Sequence, residues 1–155
     1  MSRTEKALSF FRNGYNCAQS VAAAFSDILT MDESALLSIA TGFGAGFGRK
    51  QLTCGAVTGA IMVVSNHYFD HSAPTESKKR CYRIVREFHS RFTEKNGTDE
   101  CIRLLGVDIS SSEGYAFAET HALFSTRCEG FVADSVSILE EIIAENDAAD
   151  GAKTP

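Results

Sequence analysis

TGFGAGFGRKQLTCGAVTGAIMVV, at residues 41–64, begins with alternating glycines and ends as an almost entirely apolar segment. Between Ala56 and Val64, only Thr58 and Gly59 interrupt the apolar residues. A helix that is apolar around most of its circumference must be surrounded by other elements. This segment therefore predicts the central helix of the fold. It is shorter than the roughly 20 apolar residues that a bilayer-spanning helix needs, so we assign it to a protein core.

Helical periodicity dominates the rest of the chain. Val, Ile and Thr never gather into the alternating runs that a sheet would need. A chain of 155 residues is long enough for one domain with its own core. We predict a single compact all-α domain of six or seven helices over residues 1–146, followed by a disordered tail at 147–155. The main predicted helices lie at about 4–13, 16–29, 32–41, 53–69, 75–95, 100–105 and 127–145, with a shorter one near 115–123.

The charge balance argues against nucleic acids as partners, and the lack of long apolar segments argues against membranes. Acidic residues outnumber basic ones by 20 to 15, which gives a formal net charge of −5. The longest basic cluster is the triplet at 78–80, so no nucleic-acid surface is indicated. The N-terminal segment resembles no signal peptide and no apolar run could span a membrane, so we expect a cytoplasmic protein without membrane attachment.

The spacing of the cysteines limits the kinds of site that they can form. Five cysteines stand at positions 17, 54, 81, 101 and 128. In a reducing cytoplasm, they favour a metal site, a redox site or plain packing over a disulfide framework. The closest two are 20 positions apart, so the chain contains no CxxC pair and no CxxCH haem-attachment motif. Any site that these cysteines share must be assembled by folding.

Four of the cysteines are predicted to open helices: Cys17, Cys54, Cys101 and Cys128. Asn16 and Thr53 are candidate N-caps for the first two, and Thr98 or Asp99 for the third. The N-terminus of a helix carries about half a positive charge and free N–H groups, which favour a thiolate over a thiol. If these helix ends converge, they form a site suited to anionic sulfur ligands. The fifth cysteine, Cys81, lies in the middle of an apolar stripe, where packing is the expected role.

The glycine-rich stretch GFGAGFGR lacks both the GxGxxG and the GK[ST] patterns of phosphate-binding loops, so nucleotide binding is not favoured. We expect its backbone N–H groups to form a nest that donates to sulfur, since such hydrogen bonds tune clusters. The predicted cofactor-binding residues are Gly44, Gly46, Gly48, Arg49 and Gly55. Arg49 either lowers the pKa of Cys54 through its charge or caps the preceding turn. Gly55 and Gly59 also indicate the close approach of another helix.

His67 and His71 are spaced i, i+4 and could in principle share a metal ion. The local sequence supplies no third ligand, so we expect both side chains on the solvated surface.

The order of motifs resembles a known family. NGYNCAQSV, the glycine ladder, CGAVTG, Cys101 followed by IRLLG, and CEGFV are similar to the redox-active proteins of the C_GCAxxG_C_C family. The chain reads Cys-Gly-Ala where the family label spells Gly-Cys-Ala. The resemblance implies that the four shared cysteines are Cys17, Cys54, Cys101 and Cys128. A similar pattern accompanies a non-haem iron cluster in split-Soret cytochromes, and the missing CxxCH means that only the cluster, and no haem, is implied here.

Together, residues and resemblance predict a small redox protein, either an oxidoreductase or an electron carrier. The four cysteines would hold an iron–sulfur cluster, with a [2Fe–2S] type favoured, or would cycle between dithiol and disulfide. A cluster accepts ligands from separate segments, whereas fast thiol exchange usually employs neighbouring cysteines. Its partner would be a redox protein of unknown identity, and homodimer formation stays open. The alternatives are a structural four-cysteine zinc protein and a non-catalytic helical binding or oligomerisation module with packed thiols.

Overall fold

The computed structural model describes residues 1–152, and this part of the chain is predominantly helical with no strand. The predicted all-α class is therefore confirmed. Within these residues there are eight right-handed α-helices, because both short predicted helices form. Their bounds are α1 Arg3–Arg12, α2 Cys17–Ala24, α3 Glu33–Ala40, α4 Gly55–Tyr68, α5 Pro74–Asn96, α6 Cys101–Leu105, α7 Ser112–Thr120 and α8 Glu129–Ala152.

Local caps set the beginnings of the first three helices. Ser2 caps α1, and Asn16 caps α2 through a reciprocal box in which Gln19 reaches back to the Asn16 backbone N–H. The side chain of Asp32 accepts from Ala35 N–H at the start of α3. The predicted cap Asn16 is confirmed. This cap fixes where α2 begins, and therefore where Cys17 stands.

Helix α4 lies at the centre, as its composition predicts. It packs against α2, α5 and α8, and its buried apolar side chains are Ala56, Val57, Ala60, Val63 and Val64. The approach to α2 is close at Gly59, where an added Cβ would lie 2.6 Å from the carbonyl oxygen of Ala18. The pairing of α2 with α4 brings the beginnings of both helices together.

Three predicted caps or helix starts are wrong. Neither Thr98 nor Asp99 caps α6, because its N-cap is Glu100, without a side-chain hydrogen bond. Thr53 is not the N-cap of α4, because it forms an isolated antiparallel bridge with Glu100 and leaves Cys54 as the N-cap. Cys128 does not open a helix, because it ends a π-helical segment, Phe124–Cys128, that runs directly into α8. Only Cys17 and Cys101 lie in the first turn of a helix.

The C-terminal helix also extends past the predicted domain end at residue 146, since α8 continues to Ala152. The rest of the predicted tail, 153–155, lies outside the described residues. Among residues 1–152, we find no helix with the length and apolar character required to cross a bilayer.

Candidate functional site

The four predicted cysteines lie in four separate segments but line the same cavity, which has a volume of about 410 Å³. Its walls are mostly apolar. Besides Cys17, Cys54, Cys101 and Cys128, the cavity is lined by Phe11, Gly14, Asn16, Gly44, Ala45, Gly48, Arg49, Leu104, Leu105, Ile109, Tyr115, Phe124 and Phe131. Cys81 does not line this cavity and belongs to the main hydrophobic core. The fold thus assembles the site that the spacing could not supply locally.

Cys17 and Cys54 are in direct contact in the cavity. The Cys54 thiol donates a hydrogen bond to the Cys17 sulfur, which lowers the pKa of Cys17 to about 6. The backbone N–H groups of Ala45, Ala18 and Cys17 donate to the same sulfur, and their effect together with that of Cys54 outweighs the opposing effect of burial. The same contact, aided by burial, raises the pKa of Cys54 well above its ordinary range. The pair therefore consists of a Cys17 thiolate and a Cys54 thiol.

Gly55 allows the contact between Cys17 and Cys54 because it has no side chain. A Cβ at this position would overlap the Sγ of Cys17 and would lie 3.0 Å from the backbone nitrogen of Ala18. Any other residue would therefore push the start of α2 away from the start of α4. Gly55 is not among the residues lining the cavity, so its role is to permit close approach rather than to line the cavity.

One wall of the cavity is a left-handed turn formed by residues 45–49. All five residues have positive φ, namely 52° at Ala45, 64° at Gly46, 67° at Phe47, 61° at Gly48 and 69° at Arg49. A hydrogen bond from Gly48 N–H to Gly44 O, 3.0 Å long, closes the turn. Left-handed geometry costs L-residues roughly 1–2 kcal/mol each and normally appears at single positions. The turn directs the N–H of Ala45 to the sulfur of Cys17.

Tertiary hydrogen bonds hold this strained turn. Gln51, which also has positive φ, is buried, and its side chain donates to Val107 O at 2.9 Å and accepts from Ile109 N–H at 2.8 Å. Its backbone N–H donates to Ala45 O at 3.0 Å. Gly46 packs so tightly here that an added Cβ would lie 2.7 Å from the carbonyl carbon of Gln51. Sequence reasoning missed Gln51, because a single Gln in a glycine-rich loop gives no signal of its distant partners.

Cys101 and Cys128 complete the sulfur set, but their protons are held tightly. Burial, followed by the negative charge of Cys17, raises the pKa of Cys101 to about 11. Burial and the charges of Cys17 and Cys101 raise the pKa of Cys128 to about 12, although neighbouring Arg127 opposes this. The two thiols are thus close enough to Cys17 to feel its charge. A first-turn position favours the thiolate only at Cys17.

The predicted glycine-loop residues divide into two groups. Gly44, Gly48 and Arg49 line the cavity, whereas Gly46 supports the turn from outside it. The Arg49 guanidinium lies over the Tyr115 ring, 4.3 Å from its centroid, at the cavity wall. The expected lowering of the Cys54 pKa by Arg49 is wrong, because the contact with Cys17 and burial raise that pKa.

The histidine pair does not form a joint site. His67 contacts Ile28 O through Nδ1 at 3.3 Å and approaches Asp147 through Nε2 at 3.9 Å. His71 lies beyond the end of α4 and is exposed. Across residues 1–152, no three His, Cys, Asp or Glu side chains are grouped closely enough to hold a single metal ion.

A comparison with family models identifies the chain. The model described as "Putative redox-active protein (C_GCAxxG_C_C)" matches residues 15–142. The chain belongs to this family. The match spans all four cavity cysteines and the left-handed turn. No curated protein and no solved structure matches the chain.

Proposed function

We propose that this member of the family is an electron-transfer protein whose redox centre is the four-cysteine cavity. In this proposal Cys17, Cys54, Cys101 and Cys128 are the ligands of an iron–sulfur cluster of the [2Fe–2S] type. The observation that carries it is the convergence of four cysteines from four distant segments on one cavity. Packing roles alone would not require thiols from four separate segments to line the same cavity.

Four cysteines supply the number of ligands that a two-iron cluster takes. A mononuclear site needs at least three ligands around one point, and no such group occurs among the described residues. A [2Fe–2S] cluster takes two thiolates on each iron and tolerates ligands from separate segments. Cys17 and Cys54 already form a contact pair. When bound, the cluster would supply one-electron chemistry at a potential set by hydrogen bonds to sulfur and by burial.

The protein itself lowers the free-energy cost of negative charge on the cysteine sulfurs. The N-terminus of α2 and the N–H of Ala45 already direct donors to the Cys17 sulfur. Apolar side chains such as Phe11, Leu104 and Phe131 line the rest of the cavity. Exclusion of water lowers the local dielectric and strengthens these hydrogen bonds.

Anaerobic purification followed by iron, acid-labile sulfide and zinc analysis tests the proposal. We expect iron and sulfide in equal amounts, with visible absorption that bleaches on reduction. Zinc without sulfide would instead indicate the structural four-cysteine zinc protein. Neither metal, combined with thiols that do not respond to mild oxidant, would indicate a helical binding module with packed thiols.

A second candidate function is thiol–disulfide exchange, and the direct contact between Cys17 and Cys54 favours it. The Cys17 thiolate would attack one sulfur of a substrate disulfide and release the other sulfur as a thiolate, which takes up a proton. Cys54, after losing its proton, would then attack the Cys17 sulfur and release the second substrate thiol. The net reaction converts one substrate disulfide to two thiols while forming the Cys17–Cys54 disulfide.

Thiol counting before and after treatment with oxidised glutathione tests this second function. A metal-free protein that loses two thiols reversibly, with peptide mapping that links positions 17 and 54, would support it. Oxidation that links other cysteines, or none, would contradict it.

A further inference from the structure

The stretch of sequence that contains the left-handed turn has no acidic residue. No Asp or Glu occurs from position 34 to position 69, although the whole chain contains 20. This segment includes the left-handed turn and the basic pair Arg49 and Lys50. In a chain of net charge −5, this stretch therefore has a formal charge of +2, from Arg49 and Lys50, and the acidic residue Glu100 lies beside it through its bridge with Thr53.

Backbone hydrogen bonds join this region to the first turn of α6. Cys101 N–H donates to Leu52 O at 2.6 Å, and Ile102 N–H donates to Gln51 O at 3.1 Å. We term the exposed apolar and basic side chains Phe47, Lys50, Leu52, Ile102 and Arg103 of these segments the basic rim. Arg49 and Glu100 of the same segments are also exposed. Because Cys101 lines the cavity, the basic rim is continuous with the redox site.

The basic rim combines apolar exposure with unneutralised charge. Leu52 is 53% exposed, while Phe47 and Ile102 are each 38% exposed. Lys50 makes no ion pair with any described residue. Arg103 approaches only Glu100, at 3.7 Å, in a solvated pair of the kind that contributes little. Even with Glu100 included, Arg49, Lys50 and Arg103 leave a net positive charge here, and exposed apolar residues beside such charge are typical of a docking surface.

We propose that the basic rim docks an acidic electron-carrier protein that exchanges electrons with the cysteine site. This inference rests on the proposed electron-transfer function and specifies its partner. Charge complementarity favours an acidic partner over a second copy of this chain, because a two-fold contact would bring two positive rims together. Three partly exposed apolar side chains form a small contact, as in short-lived redox complexes.

Binding and electron transfer can be measured with flavodoxin, a small acidic protein that carries FMN, as the probe. Calorimetry should show binding at low salt that weakens as ionic strength rises from about 0.02 to about 0.3 M. Stopped-flow mixing with reduced flavodoxin should show a rate with the same salt dependence. Lys50→Glu should lower that rate about tenfold at low salt, within the range expected for electrostatic steering.

Lys78→Glu is the matched control, because Lys78 is also an exposed lysine without an ion pair to any residue in 1–152 but lies on α5. It should leave the rate almost unchanged. Leu52→Ser should weaken binding without changing the salt dependence. Equal effects of Lys50→Glu and Lys78→Glu, or no salt-dependent binding of flavodoxin to the wild type, would overturn the inference. Preferential binding to phosphatidylglycerol vesicles through Lys50 would overturn it in favour of a membrane surface.

Small-molecule reductants test the proposed electron-transfer function independently of the docking surface. Dithionite with methyl viologen can reduce the cysteine site without docking. If the site responds to these reagents but flavodoxin binding ignores Lys50, the docking surface is wrong and the electron-transfer function stands. If the site is inert to them but flavodoxin binds through Lys50, the redox proposal is wrong and the docking surface stands.

Discussion

Cys17 is half-buried and Cys81 is buried, and their surroundings shift their pKa values in opposite directions. Cys17 accepts hydrogen bonds from Cys54 and from three backbone N–H groups, and its pKa falls to about 6. Cys81 is 6% exposed among apolar residues of the main core, and burial raises its pKa. Its thiol donates only a long contact to Val64 O at 3.9 Å. Burial by itself therefore does not make a thiol reactive, and convergent donors do.

The backbone differs between the two regions as much as the thiols do. Cys81 lies within the regular 23-residue helix α5. Cys17 faces a turn in which the non-glycine residues Ala45, Phe47 and Arg49 all have positive φ. Strain of this kind persists only where surrounding contacts enforce it, and it is concentrated at functional sites. The positive φ angles near Cys17 lower the stability of that region, whereas the backbone around Cys81 is a regular helix without such strain.

The largest expected effect comes from serine substitution in each region. Cys54→Ser should abolish cluster binding, or reversible disulfide formation, because it removes a partner of Cys17. Cys81→Ser should leave that redox response intact and lower the free energy of unfolding by about 1–3 kcal/mol, the usual range for a polar group placed in a core. Metal and sulfide analysis, thiol counting and urea denaturation measure these outcomes. Equal redox losses in both variants would remove the distinction between the two cysteines.

The pH dependence of alkylation should separate the two thiols next. Iodoacetamide reacts with thiolates, so the rate at Cys17 in the reduced, metal-free protein should rise with pH and level off above a midpoint near 6. The midpoint of Cys81 should lie above its ordinary value. At neutral pH, Cys17 should react on the order of 100-fold faster, as peptide mapping by mass spectrometry would show.

Two replacements of Cys54 test the cause of the low midpoint. Cys54→Ala removes the donor and should raise the Cys17 midpoint by about 1–2 pH units, the equivalent of one charge-assisted hydrogen bond. Cys54→Ser keeps a hydroxyl donor and should retain most of the lowering. An unchanged midpoint in Cys54→Ala would mean that the backbone N–H groups alone hold the thiolate.

The core region was predictable from sequence, since its signals are local. The apolar run at 56–64 placed α4 at the centre, and Asn16 marked the start of α2 through its own side chain. The mid-stripe position of Cys81 likewise predicted a packed thiol apart from the cavity, as the structure shows.

The site was predictable only in part. Ala45, Phe47 and Arg49 are residue types that avoid positive φ, so the sequence itself argued against a left-handed turn. The turn depends on Gln51, whose side-chain partners Val107 and Ile109 lie 56 and 58 positions away. Similarly, the long-range bridge between Thr53 and Glu100 moved the start of α4 by one residue. Local patterns cannot reveal such enforced geometry.

A glycine substitution series gives a smaller, more local test. Gly55→Ala should destabilise the protein by about 1–3 kcal/mol, because its Cβ would overlap the Cys17 sulfur in a packed region. The same change should slow Cys17 alkylation by disturbing its donors. Gly130→Ala is the matched control on α8, where an added Cβ meets nothing within 4 Å. It should stabilise by about 0.5–1 kcal/mol through helix propensity. Similar unfolding free energies for both variants would contradict the close approach.

The smallest expected effect is a change in the free energy of unfolding, with opposite signs in the left-handed turn and in the core helix α4. Ala45→Gly relieves positive φ in the left-handed turn, and this relief of about 1–2 kcal/mol is partly offset by the greater freedom of glycine in the unfolded chain. We expect a gain in unfolding free energy of up to about 1 kcal/mol. Ala60→Gly, at a fully buried position of α4, should instead cost about 1 kcal/mol or more. Chemical denaturation of both variants measures the difference.

Because Gly retains the backbone N–H at position 45, the Cys17 alkylation midpoint should stay near 6 in Ala45→Gly. A stabilised variant with that midpoint would show that strain in the turn is separable from its donor role, whereas a shifted midpoint would show that the strained geometry itself positions the donor.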